Sequence, residues 1–437
     1  MMHLLMYANE FDVEGLIAVT GRYLRGGSAR KGPIKPELFH MLINGYAEVY
    51  PNLRKHADNW PTPAQLHMVT AGGQYYYGIE DSGEGKTSPG SLLIEKALKK
   101  DDPRPVYVVV NAGSNTLAQA LYDLKKSETP EEFARLLAKL RVYENGAQDN
   151  SGAWIVHAYP DIHWIRSNYQ TYAWMGRGGP YCWEPYPETN PGQHRWAKEH
   201  IQTGHGPLGE LYPDRFHGNG FIEGGGTAPW MGLVQKGVYD PDHPDWGGWS
   251  GRFSSEKVKN VWSRHAPEKE DEQGYGDFFM YPEIKESWTD PVYGKTYDQE
   301  EVPVWRWRRH MLDDFRGRMD WCLQPYDQAN HNPIAVFNKN RGDETIFIKA
   351  QRGAKVMLSA AGSSDPDGDE LVYAWYVYPQ PKGYEDRIAI DNADSVKASI
   401  TVPATLPGDE LHVILEVADD SDFVTMRDYR RIVLEVE

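Results

Sequence analysis

The chain is 437 residues long, with 40% hydrophobic and 25% charged residues, enough apolar material for two ordinary cores and too much for wholesale disorder. Its formal charge of −17 repels phosphate backbones and anionic head groups, so neither nucleic acid nor a membrane surface is an expected partner. Two cysteines, Cys182 and Cys322, exclude a disulfide scaffold and a Cys-rich zinc site, and no apolar run approaches the ~20 residues of a membrane span.

The opening MMHLLMYANEF places Met2, Leu5, Met6 and Phe11 at helical spacing and has no basic start of the kind a signal peptide shows. VEGLIAV follows as a short buried strand. A parallel sheet normally opens with a strand that feeds such a helix. Either this domain is unusual, or the natural start lies upstream.

The next unit is plainer. Ser88 caps a helix beginning at Pro89 and running through SLLIEKALKK, and the strand PVYVVVNAG follows. Asn115 or Thr116 then starts the helix TLAQALYDLKK, and the helix PEEFARLLAKL leads into the strand RVYENGAQ. Such αβ alternation predicts a mainly parallel sheet with flanking helices, whose ligand crevice lies at the strands' carboxyl ends, at Thr20–Arg22, Asn111–Asn115 and Gly146–Asn150.

From about 155 to 260 regular patterning fades into Gly, Pro, Trp and Tyr, and a polar helical stretch, VPVWRWRRHMLDDFRGRMDWCL, closes this region. Past Gln328 the runs IAVFN, TIFIKA, KVMLSA, LVYAWYVY, RIAI, VKASITV, LHVILEVA and RRIVLEV predict an all-β, immunoglobulin-like sandwich. The expected division is an α/β domain over 1–328 and a sandwich over 329–437.

Several motifs have plain alternatives. GEGKTS at 83–88 lacks the glycine of a phosphate loop, since Glu80 stands in its place, and reads as a loop ending in the Ser88 cap. The run Asp365-Pro-Asp-Gly-Asp369 resembles the start of a calcium loop, but Tyr376 occupies the position of the closing Glu, so a β-turn is the default. All fifteen tryptophans except Trp375 precede residue 325. Trp164, Trp174, Trp183, Trp230, Trp246 and Trp249 suit either stacking on sugar rings or packing beneath long loops; each singly favours packing, while the group predicts one or two facing a ligand. Asp149, Asp161, Glu210, Asp214 and Glu223 are the acids nearest the crevice from which a hydrolytic pair would come. His163, His205 and His217 have no metal-ligand spacing and read as structural.

YANEFDVEGLIAVTGR, SPGSLLIEKAL with RPVYVVVNAGSNTLAQAL, WGGWSGRF, RMDWC with ANHNP, and SSDPDGDELVYAWYVYP with LHVILEVADD together resemble the bacterial cellulose-binding proteins that pair a nucleoside-hydrolase-like domain with an immunoglobulin-like one. The resemblance implies an exported protein whose partner is a carbohydrate: a polysaccharide, an oligosaccharide or a nucleoside. It also implies calcium, held by an aspartate cluster after the first strand, which would fall before Met1. Asn115 matches the position of a main-chain carbonyl metal ligand, Arg22 replaces a sugar-touching Asn, and Gly226 stands where another metal aspartate is expected. Thr20, Arg22, Asn111, Asn115, Gln148, Asp149, Glu223, Trp230 and Trp249 are the resulting sugar-binding candidates, with no catalytic residue assigned. The expected activity is hydrolysis of N- or O-glycosyl bonds by metal-activated water, calcium being an attribute of the longer family pattern and not of these residues alone. The alternative is a non-catalytic binder of cellulose or another polysaccharide.

Overall fold

The computed structural model describes residues 1–22, 34–174, 179–213 except 181, 184 and 188, 225–264, 276–378 and 388–437. Helix α1 (Met2–Leu5) is a single turn and leads into β1 (Leu16–Ala18). Beyond α2 (Pro36–His56) and α3 (Pro63–Met68), β2 (Thr70–Gly72) pairs in parallel with β1. The cap anticipated at Ser88 forms in full. Ser91 N donates to Ser88 Oγ at 3.1 Å and Ser88 N to Ser91 Oγ at 3.0 Å, opening α4 (Pro89–Lys99), with Pro89 at a position whose N–H has no helical partner anyway.

Strand β3 (Val106–Val110), α5 (Asn115–Ser127), α6 (Pro130–Ala138), β4 (Leu140–Asn145), α7 (Ser151–Ala158) and β5 (His163–Ser167) then alternate. The segment with faded patterning holds more regular structure than its composition predicts. Besides β5 it contains α8 (Asn190–Ala197), α9 (Gly206–Glu210), α10 (Ala228–Val234) and β6 (Val258–Lys259). Strand β5 is hidden in the sequence by its polar residues. Arg166 is fully buried and pairs with Glu144 on β4, Nη2 to Oε2 at 2.7 Å, so a charged residue occupies a central strand.

With β7 (Phe279–Pro282) these strands form a sheet in the order β3-β4-β5-β7-β6, parallel except for the edge strand β6. The hairpin of β8 (Glu286–Thr289) and β9 (Thr296–Gln299) precedes α11 (Val302–Trp305) and α12 (Arg308–Asp320). The expected single polar helix is therefore two, and it is not solvated. Arg308, Asp314 and Arg318 are buried, with Arg318 bound to Glu10 and stacked on Tyr7.

Past Tyr326–Gln328 the described chain is all β: β10 (Ile346–Ala350), β11 (Lys355–Ser359), β12 (Leu371–Val377), β13 (Ile390–Asp391), β14 (Lys397–Thr401), β15 (Glu410–Asp419) and β16 (Arg427–Val436). They make two sheets, β10-β16-β15-β12 and β11-β14-β13, around a core that includes Trp375, Leu358, Ile400, Leu415 and Leu434. IAVFN, expected as a strand, forms only isolated bridges at Ile334 and Phe337. The Asp365 turn is confirmed as a turn, since Asp365 Oδ1 accepts from the N–H groups of Asp367, Gly368 and Asp369. Asp367 in turn accepts from the Nδ1 of His331 at 2.9 Å, fastening the turn to a stack of His331, His56 and Trp321.

One apolar cluster crosses from the helical part into the strands, joining Trp249, Trp307 and Phe315 to Tyr378, Ile414, Met426 and Tyr429. Arg431, 1% exposed, donates to the carbonyls of Val238, Trp246 and Gly247 at 2.5, 3.1 and 3.1 Å. Gly237 is a glycine by necessity, because a Cβ there would stand 2.0 Å from the Tyr429 carbonyl. Cys182 and Cys322 are both buried and unbridged. No helix among the described residues is long and apolar enough to cross a membrane.

Candidate functional site

At the carboxyl ends of β1, β3 and β4 three turns converge. Gly113 N donates to the Thr20 carbonyl at 2.8 Å, and Gly21 lies against Gln148 and Ala112. Thr20 Oγ1 donates to the Tyr76 carbonyl at 3.0 Å, and Asn115 Nδ2 donates to the same oxygen at 2.9 Å. Gln148 Nε2 donates to the Asn111 carbonyl at 3.0 Å, and Asn145 Nδ2 reaches Asn111 Oδ1 at 3.4 Å. The result is an arc of amides in which Asn115 and Asn145 are buried and hold the turns together, while Asn111, exposed, and Gln148, half-buried, are open to a ligand's hydroxyls.

Asp149 is the carboxylate of this crevice. Its Oδ1 accepts from Ser114 N and Ser114 Oγ at 3.2 Å and from Ser151 N at 3.0 Å, whereas Oδ2 is buried with no partner among the described residues. Burial pushes its pKa from 3.8 up to about 6, against the pull of those donors.

Thus Thr20, Asn111, Asn115, Gln148 and Asp149 are brought together, and Arg22 follows at the same end. Trp230 is adjacent: it is 5% exposed and donates through Nε1 to the Gly226 carbonyl at 3.0 Å. Trp249 belongs elsewhere, 1% exposed and edge-on to Tyr429 at 6.0 Å, so its assignment to a sugar site is corrected to packing. Trp164, Trp174, Trp183 and Trp246 are likewise buried, because large rings supply the core that long loops would otherwise lack. Glu223, Asp214 and His217 lie outside the described residues. Asp161 and Glu210 are exposed away from Asp149, one at the amino end of β5 and the other closing α9. The structural reading of His163 and His205 holds: burial lowers the His163 ring to about 4, and His205 bonds Asp320 at 3.1 Å.

The aromatic faces that do meet solvent were missed. Tyr75 and Tyr76 are 54% and 68% exposed on the loop that Thr20 and Asn115 hold, and Trp262 and Tyr169 are 41% and 38% exposed beyond β4 and β5, where Ser263 Oγ donates to the Gly146 and Ala147 carbonyls. The signal for the first pair was the triplet Tyr75-Tyr76-Tyr77, too polar in its flanks for a strand.

Calcium needs several hard oxygens on one point. Among the described residues no three carboxylates or imidazoles converge, and the Asn115 carbonyl, in the first turn of α5, accepts from Ser82 Oγ at 3.1 Å. Gly226 offers no side-chain ligand, its carbonyl accepts from Trp230 Nε1 at 3.0 Å, and a Cβ there would come 2.8 Å from the Asn111 amide. The described residues do not fit the ion.

A parallel-rich α/β sheet with its crevice at the strands' carboxyl ends, continued by a β-rich C-terminal region, places the molecule among nucleoside-hydrolase-like proteins. A nucleoside hydrolase-related hypothetical protein from Saccharophagus degradans, described as associated with carbohydrate metabolism, superposes with TM-score 0.83 at 32% identity, over 100% of this chain and 95% of that one. The chain belongs to the cellulose-binding Sde182 family: the model of the family's nucleoside hydrolase-like domain matches residues 1–253, and that of the cellulose-binding Sde0182 C-terminal domain matches 355–436. A human PKD domain aligns over 21% of the chain at TM-score 0.16 and 14% identity, which supports no argument. No curated protein matches.

Proposed function

We propose that this carbohydrate-associated protein binds a saccharide of the cellulose type in the crevice at the ends of β1, β3 and β4, without cleaving it. The observation that carries the reading is the pairing of Tyr75 and Tyr76, both exposed, with the accessible amides of Asn111 and Gln148, which the buried Asn115 and Asn145 hold in place. Flat rings stack on sugar faces while amides take up hydroxyls. Glycosidic hydrolysis takes two carboxyl groups, and among the described residues the site set out above supplies one, Asp149. Retention on insoluble cellulose, and titration with cello-oligosaccharides and nucleosides, tests the proposal. Replacing Tyr75 and Tyr76 together by Ala should weaken binding about tenfold, near 1.4 kcal/mol, while leaving the melting temperature in place. Wild-type protein that neither sediments with cellulose nor responds to oligosaccharide would end the proposal.

Asp149 favours a second reading, hydrolysis of an N- or O-glycosyl bond. A carboxyl with a pKa of about 6 and a free oxygen suits proton transfer near neutrality. Sugar release from nucleosides or oligosaccharides, abolished in Asp149→Asn, is the result that would favour it. An extracytoplasmic location belongs to the same proposal, because cellulose lies outside the cell.

A further inference from the structure

A second exposed ring stands on the same edge of the sheet as Tyr75 and Tyr76, and it is held as firmly. Residues 262–264 cross the carboxyl ends of β4 and β5. Ser263 Oγ donates to the Gly146 and Ala147 carbonyls at 2.9 and 2.5 Å. Asn168, the residue after β5, donates through Nδ2 to the Trp262 carbonyl at 3.1 Å and accepts on Oδ1 from Arg264 N at 3.0 Å. Arg264 thereby lays its guanidinium over the Tyr169 ring, 4.4 Å from the centroid, and donates through Nη1 to the Asn168 carbonyl at 3.2 Å. The main chain of Tyr169 is fixed too. Its N–H donates to Glu283 Oε1 and Oε2 at 2.9 and 3.0 Å, and the same carboxylate accepts from Ser167 Oγ at 2.6 Å.

Gln148 connects this group to the first. It follows Ala147, which Ser263 holds, and it donates to the Asn111 carbonyl on the turn after β3. Tyr75 and Tyr76, edge to face at 5.0 Å, stand beyond that turn, with Tyr76 N bonded to Asp81 Oδ2 at 2.7 Å and the Tyr76 carbonyl to Thr20 and Asn115. The order along the edge is therefore Tyr75–Tyr76, Asn111, Gln148, then Tyr169–Arg264. Strands β3 and β5 flank β4, so their ends alone lie about 10 Å apart, and the Tyr76 contact with Thr20 carries the row past β3 to the end of β1. A lone sugar ring does not span it.

We infer that the crevice binds an extended glycan chain laid across the strand ends, with Tyr75–Tyr76 and Tyr169–Arg264 as its two outer subsites. The inference rests on the saccharide reading given above and adds the length of the ligand: an oligosaccharide, or an internal stretch of polysaccharide, longer than a disaccharide. Aromatic faces at the two ends meet the apolar faces that recur along such a chain. Between them Asn111 and Gln148 meet its hydroxyls, and Arg264 brings guanidinium donors to the last unit. The hydrogen bonds of Asn168, Ser263 and Glu283 fix the second subsite in advance, which lowers the ordering cost of binding.

The test is calorimetric titration with cello-oligosaccharides from cellobiose to cellohexaose, and with a nucleoside beside them. In wild type the dissociation constant should fall about tenfold from cellobiose to cellohexaose. Tyr169→Ala should abolish that gain, bringing the two constants within about twofold of each other, and Tyr169→Phe, which keeps the ring, should restore it. Both variants should melt within about 1 °C of wild type, because the bonds to Glu283 come from the main chain. Equal affinity of wild type for cellobiose and cellohexaose, or a Tyr169→Ala protein that keeps the full gain, overturns the inference and leaves the saccharide reading standing. A nucleoside bound as tightly as cellohexaose also overturns it. Wild-type protein that binds none of the series overturns both.

Discussion

Asp149→Asn is the sharpest test of the crevice as described. Oδ1 accepts three hydrogen bonds that an amide oxygen accepts equally well. Oδ2 has no donor among the described residues and lies against Gly113, so an amide there removes a desolvated charge without breaking a bond. With its folded pKa raised from 3.8 to about 6, the wild-type carboxyl binds more protons in the folded than in the unfolded protein between those values. Its contribution to stability is fully present below about pH 4 and is lost as pH rises through 6. At ~1.36 kcal/mol per decade the loss is on the order of 3 kcal/mol. An unfolding entropy of about 2.1 cal/mol/K per residue over 437 residues gives ~0.9 kcal/mol per kelvin, hence a shift of about 3 °C. The melting temperature of Asp149→Asn should therefore pull ahead of wild type by about 3 °C between pH 4 and pH 7, measured by scanning fluorimetry or calorimetry. A gap that does not change with pH, or a variant less stable at pH 7, would refute the assignment of Asp149 as a desolvated carboxyl.

Trp249→Ala should cost about 3–5 kcal/mol of stability through the cavity it leaves, with saccharide affinity unchanged in protein that remains folded. A selective loss of binding would return Trp249 to the sugar site. Arg431→Met deprives the Val238, Trp246 and Gly247 carbonyls of their donor and should destabilise by on the order of 3 kcal/mol in urea unfolding; a change below ~1 kcal/mol would mean water takes the place of the guanidinium. Trp262→Ala, at an exposed ring beyond β4, should leave the melting point within about 1 °C and lower cellulose retention if the aromatic rim extends that far.

Local chemistry made much of the fold readable. Ser88 and Pro89 define a helix start whatever surrounds them, and the run at 106–110 reads as a strand from its β-branched residues although only Val110 is fully buried. Strand β5 escaped because Arg166 and His163 spoil its apolar run, and the arginine is made tolerable by Glu144, 22 residues earlier, and the distant Val261 carbonyl. Strand ends located Thr20, Asn111 and Asp149, since turns at the carboxyl edge of a parallel sheet must meet. Side-chain exposure was not readable in the same way. Trp164 and Trp262 look alike in sequence, yet one donates to the buried Glu144 and the other lies open, a difference made by contacts from distant segments.

The Gly237–Tyr429 contact and the Arg431 clasp carry a practical consequence. A fragment ending near Gln328 would bare Trp249, Trp307 and Phe315, and the complementary fragment would bare Tyr429 and strand Arg431 away from its three carbonyls. The C-terminal strands are therefore not an excisable adaptor, and dissecting cellulose attachment by truncation would report collapse where point substitutions report recognition.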